Sequence, residues 1–351
     1  MQTNNLNILE FCLSPDLGGL EMFMVNCYKE FKKNTQCKVI IEKNTKLDNF
    51  LESENPFYIK RNKFFPIIPA IKLAKYIATI ILAKVLSTKK PKIIQTRNMT
   101  MTRFKDDFYH KWLYKNIDTM HAVTYQVKEQ LHKFIPENVC PNVEMVYMGT
   151  EEKKIDKDKI EELQIKYDLA DSKTFIVGIV GRIEEGKGQY LVIEAIEKLK
   201  DLNIKAMIVG HTMDGDYLNS LKDKIKNMDI EDKVIFTGFT KEVDAHMQLF
   251  DANILATPKE TFGLVVIEAM MNKVCMIATN NGGPLEIIDD EKDGLLFDRT
   301  SNDLAKKIKK LYLNEEMKIN ISQSGYLKAK EKFDNKIQIN KLYNTLVEIN
   351  K

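Results

Sequence analysis

The stretch Phe175-Ile176-Val177-Gly178-Ile179-Val180 runs straight into Gly181-Arg182-Ile183-Glu184-Glu185-Gly186-Lys187-Gly188. Its first half is apolar and β-branched, without the alternation of a one-sided strand, so it reads as a strand buried on both faces. Its second half is a glycine-rich turn, and a helical pattern of apolar residues follows over Gly188–Lys200. Buried strand, turn and helix in that order begin a crossover unit. Repeating the unit builds a parallel sheet covered by helices on both faces.

The unit does repeat. Downstream, Ile204–Val209, Lys233–Thr237, Asn253–Ala256 and Val274–Ala278 are further strand patterns, and the tail after Ser301 is helical. Upstream lies an earlier cycle, with strands at Leu6–Leu13, Lys38–Glu42, Phe57–Lys60, Lys92–Thr96, Thr119–Val123 and Val143–Val146. Helical patterns near Leu20–Phe31, Pro69–Leu86, Asp106–Tyr114 and Tyr125–Phe134 fill its gaps. Two cycles in 351 residues predict an α/β protein of two facing, doubly wound, Rossmann-like domains. The charged segment Glu151–Lys166 is expected to carry the linker, which separates domains at 1–152 and 153–333. Ligands of open parallel sheets bind beyond the carboxyl ends of the strands. Chemistry is therefore expected in the loops after Leu13, Val180, Val209, Thr237, Ala256 and Ala278.

A content of 44% hydrophobic and 29% charged residues excludes a disordered chain. Five scattered cysteines, with no Cys-x-x-Cys or Cys/His cluster, predict reduced thiols rather than a zinc or disulfide scaffold. Met1–Asn7 is polar and no leader is expected there. Lys72, Lys75 and Lys84 interrupt the apolar stretch Ile67–Leu86, leaving runs too short to cross a bilayer. Charge is uneven: residues 1–150 hold 22 Lys and Arg against 14 Asp and Glu, and Asn55–Lys105 holds 12 basic residues and no acid. Such a half attracts an anion, whether a membrane surface, a phosphorylated acceptor or nucleic acid, or is simply a solvated basic face. No nucleic-acid recognition motif accompanies it.

Four motifs fall in the expected loops. In Gly181–Gly188 the glycines admit close backbone approach, the following helix N-terminus favours an anion, and Arg182 and Lys187 add positive charge. A P-loop would need Ser or Thr where Gly188 stands. Glu260-Thr261-Phe262-Gly263-Leu264-Val265-Val266-Ile267-Glu268 places two carboxylates eight residues apart, across a loop and the start of a helix. A carboxylate such as Glu268 can accept from a cis-diol, or can simply complement the helix dipole. Gly18-Gly19 and Asn281-Gly282-Gly283-Pro284 are glycine turns between strand and helix, suited to a phosphate or to nothing but the turn. Asp214-Gly215-Asp216 has the form of a metal-binding pair, but nothing nearby in sequence completes a site. His110, His121 and His132 are likewise not a metal set.

Taken together, these motifs resemble glycosyltransferase family 4, the retaining enzymes of the two-domain GT-B fold. The resemblance rests on Gly181-Arg182 with Lys187-Gly188, Val234–Phe239, Glu260–Glu268, Gly282-Gly283 with Glu286, and Gly294–Phe297. Gly18-Gly19 with Glu21 carries it more loosely in the first half. Lys105-Asp106-Asp107 with His110 is similar to bacterial transferases building lipopolysaccharide or capsule. The resemblance implies a nucleotide diphosphate sugar as donor, a glycan or lipid-linked acceptor, an interdomain cleft, retention of anomeric configuration and no metal or other cofactor. It implies that Arg182 and Lys187 bind the diphosphate and that Glu268 holds the ribose. Glu260 with the backbone of Thr261, Phe262, Gly263 and Leu264 would position the sugar. Gly181, Gly210 and Phe239 would flank the nucleotide, Gly18 and Gly19 would meet phosphate, and the terminal helix 334–351 would return to the first domain.

Many relatives carry a histidine after the fourth or fifth strand, where Arg97-Asn98 stands here. Arg97, Lys105 and His110 are the acceptor-side candidates. The expected place of work is the cytoplasm, at the inner face of the cytoplasmic membrane if the basic half meets lipid. A nucleotide-sugar-binding subunit without catalysis and a GT-B sugar-nucleotide epimerase remain the alternatives.

Overall fold

The computed structural model describes residues 6–12, 14, 18–59, 69–169, 173–212 and 214–350. The chain forms two compact units, Met1–Gly149 with Asn335–Lys351, and Thr150–Asp334.

The first unit alternates β1 (Asn7–Cys12), α1 (Gly19–Phe31), β2 (Gln36–Glu42), α2 (Asp48–Leu51), β3 (Phe57–Ile59), α3 (Pro69–Leu86), β4 (Ile94–Arg97), α4 (Phe108–Lys115), β5 (Thr119–Ala122), α5 (Tyr125–Phe134) and β6 (Asn142–Met145). The strand ends expected at Leu13 and Lys60 lie outside the described residues. The strands form two parallel three-stranded sheets, β1-β2-β3 and β4-β5-β6. Val25 and Tyr28 of α1 pack on Val39 and Ile41 of β2, with Leu47 and Leu51 closing that core. Ile81 of α3 and Leu113 of α4 pack with Met120, Ala122, Leu131 and Val143 in the other. His121 is fully buried in β5. Its Nε2 donates to the Val146 carbonyl at 2.7 Å, so Nδ1 is left to accept from the Thr96 hydroxyl at 3.2 Å. Burial lowers its pKa, and the neutral ring ties β4 to the segment after β6.

The second unit starts with α6 (Lys157–Lys166) and continues through β7 (Phe175–Val180), α7 (Gln189–Glu197), β8 (Ile204–Val209), α8 (Gly215–Asn227), β9 (Val234–Gly238), α9 (Val243–Met247), β10 (Ala252–Leu255), α10 (Leu264–Met271), β11 (Cys275–Thr279), α11 (Pro284–Ile287), β12 (Leu295–Phe297), α12 (Ser301–Tyr312) and α13 (Glu315–Lys332). Its sheet is six-stranded and all parallel, in the order β12-β11-β10-β7-β8-β9. β7 is central and buried on both faces, as its unbroken apolar run requires. A Cβ at Gly178 would sit 2.1 Å from the Phe250 ring, so that ring closes directly over the strand.

Two elements were not expected from the sequence. Within Glu151–Lys166, the segment expected to carry the linker, the last ten residues form α6, capped by the Asp156 side chain accepting from Lys159 N–H at 3.1 Å. The helix buries Leu163 alone, so its charge hides it in the sequence. Leu295–Phe297 adds an edge strand, β12, too short for periodicity to find.

The chain ends in α14 (Asn335–Ile349), which packs on α1 of the first unit, with the rings of Phe31 and Tyr343 5.9 Å apart.

Candidate functional site

In the second unit the chain leaves β7 in one direction to β8 and returns on the other side as β10. The two loops that follow β7 and β10 therefore diverge, and a crevice opens between them at the carboxyl edge of the sheet.

The loop after β7 keeps close to β8. Gly181 N–H donates to the Val209 carbonyl at 2.9 Å, and Ile183 N–H to the His211 carbonyl at 2.9 Å. Gly188 then turns with φ +77° and caps α7. A Cβ there would meet the Ala256 carbonyl oxygen at 2.7 Å, so the turn presses against the end of β10. The loop after β10 is held from the other side. Gly283 N–H donates to the Glu260 carbonyl at 2.9 Å, and Asn281 Nδ2 donates to the Pro258 carbonyl at 3.0 Å. A Cβ at Gly282 would lie 2.2 Å from the Glu260 carbonyl oxygen, and one at Gly283 2.2 Å from that of Phe262. The Gly282-Gly283 turn is thus a clamp on the 260–262 backbone, a relation that the sequence motif does not reveal. Gly263, with φ +96°, caps α10.

Both α7 and α10 begin at glycine, and neither has a side-chain cap. Their first N–H groups and the positive ends of their dipoles face the carboxyl edge of the sheet. Lys187 and Glu260, one from each loop, meet with Nζ and Oε2 3.9 Å apart. Arg182 points into an ion pair with Glu184 at 3.2 Å, and its side chain is about half exposed (48%). Both cations read from the sequence thus carry a carboxylate partner, Glu260 for Lys187 and Glu184 for Arg182. Spacing alone could not identify either pair.

Glu268 lies in the second turn of α10. Burial pushes its carboxyl up to about 7, Asp244 adds to the rise, and Lys153 opposes it. Phe262 is core: it is 1% exposed, and its ring meets Phe333 edge-on at 6.0 Å. Only its backbone is available to the crevice. Thr261 and Leu264 are half-buried beside it. Gly210, with φ +151°, abuts Gly181, where a Cβ would lie 1.8 Å from the Gly181 carbonyl oxygen. Phe239 is 68% exposed after β9, with its ring edge-on to His211 at 5.9 Å. His211 is a neighbour that the sequence reading missed.

Asp214 of the Asp-x-Asp caps α8, accepting from Asp216 N–H at 3.0 Å. Among the described residues no group of three His, Cys, Asp or Glu could hold a metal.

In the first unit, Gly18 caps α1 and its N–H donates to Glu21 Oε2 at 2.9 Å, so the helix's own carboxylate meets the first turn, which begins at Gly19. Arg97 ends β4, with Nε donating to the Met99 carbonyl at 3.0 Å. Burial lowers its pKa, which the nearby Tyr114 counters. Burial also lowers Lys105, and Arg103 and Arg97 lower it further. His110 packs on Asp107, which caps α4 and accepts from the His110 N–H at 3.1 Å. Arg97, Lys105 and His110 thus lie along one loop and the helix start that follows it.

Residues 159–328 match the family described as glycosyl transferases group 1. The N-acetyl-alpha-D-glucosaminyl L-malate synthase of Bacillus anthracis is 27% identical over 218 residues, 62% of this chain and 56% of that protein. The capsular polysaccharide biosynthesis glycosyltransferase CapM of Staphylococcus aureus is 26% identical over 241 residues, 62% of this chain and 60% of that protein. The chain therefore matches little more than half the length of these relatives. A crystal structure of Anabaena Alr3699/HepE, in complex with UDP and glucose, superposes with a TM-score of 0.81. It covers 98% of this chain and all of that one at 18% identity, a likeness of fold, that of the two-domain GT-B proteins.

Proposed function

We propose, from the match of residues 159–328 to the group 1 glycosyl transferases, that this chain moves a sugar from a nucleotide diphosphate sugar to a glycan or lipid-linked acceptor. The carrying observation is the crevice between β7 and β10, where two uncapped helix N-termini flank Lys187 and Glu260. Negative charge grows on the diphosphate as the glycosidic bond breaks, and fixed N–H groups with a cation stabilise it there without reorganising. Lys187 and Arg182 take that role, each leaving its carboxylate for the phosphates. No metal ion is needed for this, and the transfer retains anomeric configuration. Glu268 binds the ribose, Gly210 and Phe239 lie along the base, and Glu260 and the Thr261–Leu264 backbone hold the sugar. The similarity to CapM, a capsular polysaccharide biosynthesis glycosyltransferase, supports a place in capsule or other surface polysaccharide synthesis. A cytoplasmic site of work beside an anionic membrane suits the basic first unit.

Incubation of the purified chain with UDP-, GDP-, ADP- and CMP-sugars tests the reading. One donor is expected to raise the melting temperature by mass action and to be consumed with release of the nucleoside diphosphate. If none is bound or turned over with any glycan or lipid-phosphate acceptor supplied, the reading fails.

A further inference from the structure

The loop between β4 and α4 presents apolar side chains to water. Phe108 is 88% exposed, the most exposed large hydrophobic residue among the described residues, and Phe104 and Met99 are 65% and 63% exposed. This loop is tied down. Lys105 N–H donates to the Phe134 carbonyl at 2.9 Å, Met101 N–H to Gln130 Oε1 at 2.7 Å, and the Phe104 ring rests edge-on against Phe134 at 5.4 Å. These side chains are therefore held outward by packing at their bases. Interleaved with them are Arg97, Arg103 and Lys105, none of which has an ion-pair partner among the described residues, and Lys111 and Lys115 continue the charge along α4. Of the two acids in the stretch, Asp107 is turned back to cap α4 and to meet His110, and Asp106 stands alone against five cations.

We propose that this loop and the start of α4 dock the first unit on an anionic bilayer. Phe104, Phe108 and Met99 enter the headgroup layer, and Arg103, Lys105 and Lys111 sit at the lipid phosphates. This deepens the membrane part of the reading above by assigning it a surface, and it does not depend on the transfer chemistry. Apolar tips ringed by unpaired cations fit an interface that is apolar below and anionic above; a purely solvated basic face has no use for the tips.

The chain's one tryptophan, Trp112, is on α4 with its ring 6.4 Å from Tyr109, so it reports on this patch. The test is co-sedimentation of the full chain with vesicles of phosphatidylcholine, alone or mixed with phosphatidylglycerol, alongside Trp112 emission. Expected are binding to the anionic vesicles only, a blue shift of Trp112, and a loss of bound fraction of about tenfold or more in Phe104→Ser/Phe108→Ser and in Arg103→Glu/Lys105→Glu. Lys222→Glu/Lys226→Glu, the same charge change on the second unit, should bind as wild type. If both patch variants bind as wild type, or the Lys222/Lys226 variant is equally weakened, the surface is wrong although membrane binding stands. Loss in the charge variant alone removes the apolar contact from the proposal. No sedimentation of the wild type with anionic vesicles overturns the membrane reading itself, and a Trp112 shift with a soluble sugar phosphate but not with vesicles points to a small-anion site instead.

Discussion

Lys187 and Glu260, from the loops after two adjacent parallel strands, close to 3.9 Å across the point where the sheet reverses its winding. Both are only part-exposed, at 30% and 24%, and the ammonium is held beside two uncapped helix starts. On the proposed function, a diphosphate arriving there would take the lysine from its carboxylate. Lys187→Ala is expected to lower kcat about 10²–10³-fold, the usual cost of one charge-stabilising donor. Steady-state turnover with the identified donor measures it; an unchanged kcat removes Lys187 from the chemistry.

Glu268 supplies a pH dependence with a definite sign. Its folded pKa, about 7, stands above the unfolded value near 4.5. The folded state then holds the extra proton between those values, so the group's contribution falls as pH rises through this window and its penalty is complete above it. Glu268→Gln is expected to gain on wild type by about 2 kcal/mol more at pH 8 than at pH 5 in denaturant titrations. Nucleotide affinity should drop in Glu268→Ala with a smaller effect on kcat, because the ribose does not react. Unaltered affinity by calorimetry would remove the ribose role.

Glu10 behaves in the same direction in the other unit. Burial in β1 raises it to about 8, and its Oε2 is buried with no hydrogen-bond partner among the described residues. Glu10→Gln should gain stability relative to wild type by about 2–3 kcal/mol between pH 6 and pH 9. Burial also pushes the nearby Cys12 and Cys37 thiols up to about 11 and about 12. The native protein should therefore react slowly with an alkylating reagent at neutral pH. Rapid labelling of either cysteine in the folded chain would contradict this.

Backbone clamps should be intolerant of a methyl group. Gly210→Ala forces a Cβ to 1.8 Å from the Gly181 carbonyl oxygen, at φ +151°. Gly283→Ala forces one to 2.2 Å from that of Phe262. Each is expected to cost about 1–3 kcal/mol or more by overpacking, and to weaken nucleotide binding beyond the loss of stability. Thermal melts and calorimetry separate the two effects; wild-type behaviour in both would mean the turns relax freely.

Turnover should persist in EDTA. Asp214 caps α8 through Oδ1, and among the described residues no third His, Cys, Asp or Glu stands with the Asp-x-Asp to hold a metal. Complete loss of activity in chelator, restored by manganese, would return that motif to the mechanism.

Much of this protein was legible in one dimension. The uninterrupted apolar run of β7 could only be a strand buried on both faces, and its repetition implied parallel sheets and two units, because burial pattern is a local property of the chain. The glycines at 181, 188, 210, 263 and 282 mark backbone at positive φ for the same local reason. Helix α6 escaped because it buries a single side chain, and β12 because three residues carry no period. Only tertiary structure decided which groups meet: Glu260 with Lys187, Glu184 with Arg182, the Gly282-Gly283 turn with the 260–262 backbone, and Phe262 with Phe333 rather than with solvent. Sequence fixes each residue's own conformational preference, whereas a pairing across loops depends on the order in which strands stack, and that order follows from the packing of the whole sheet.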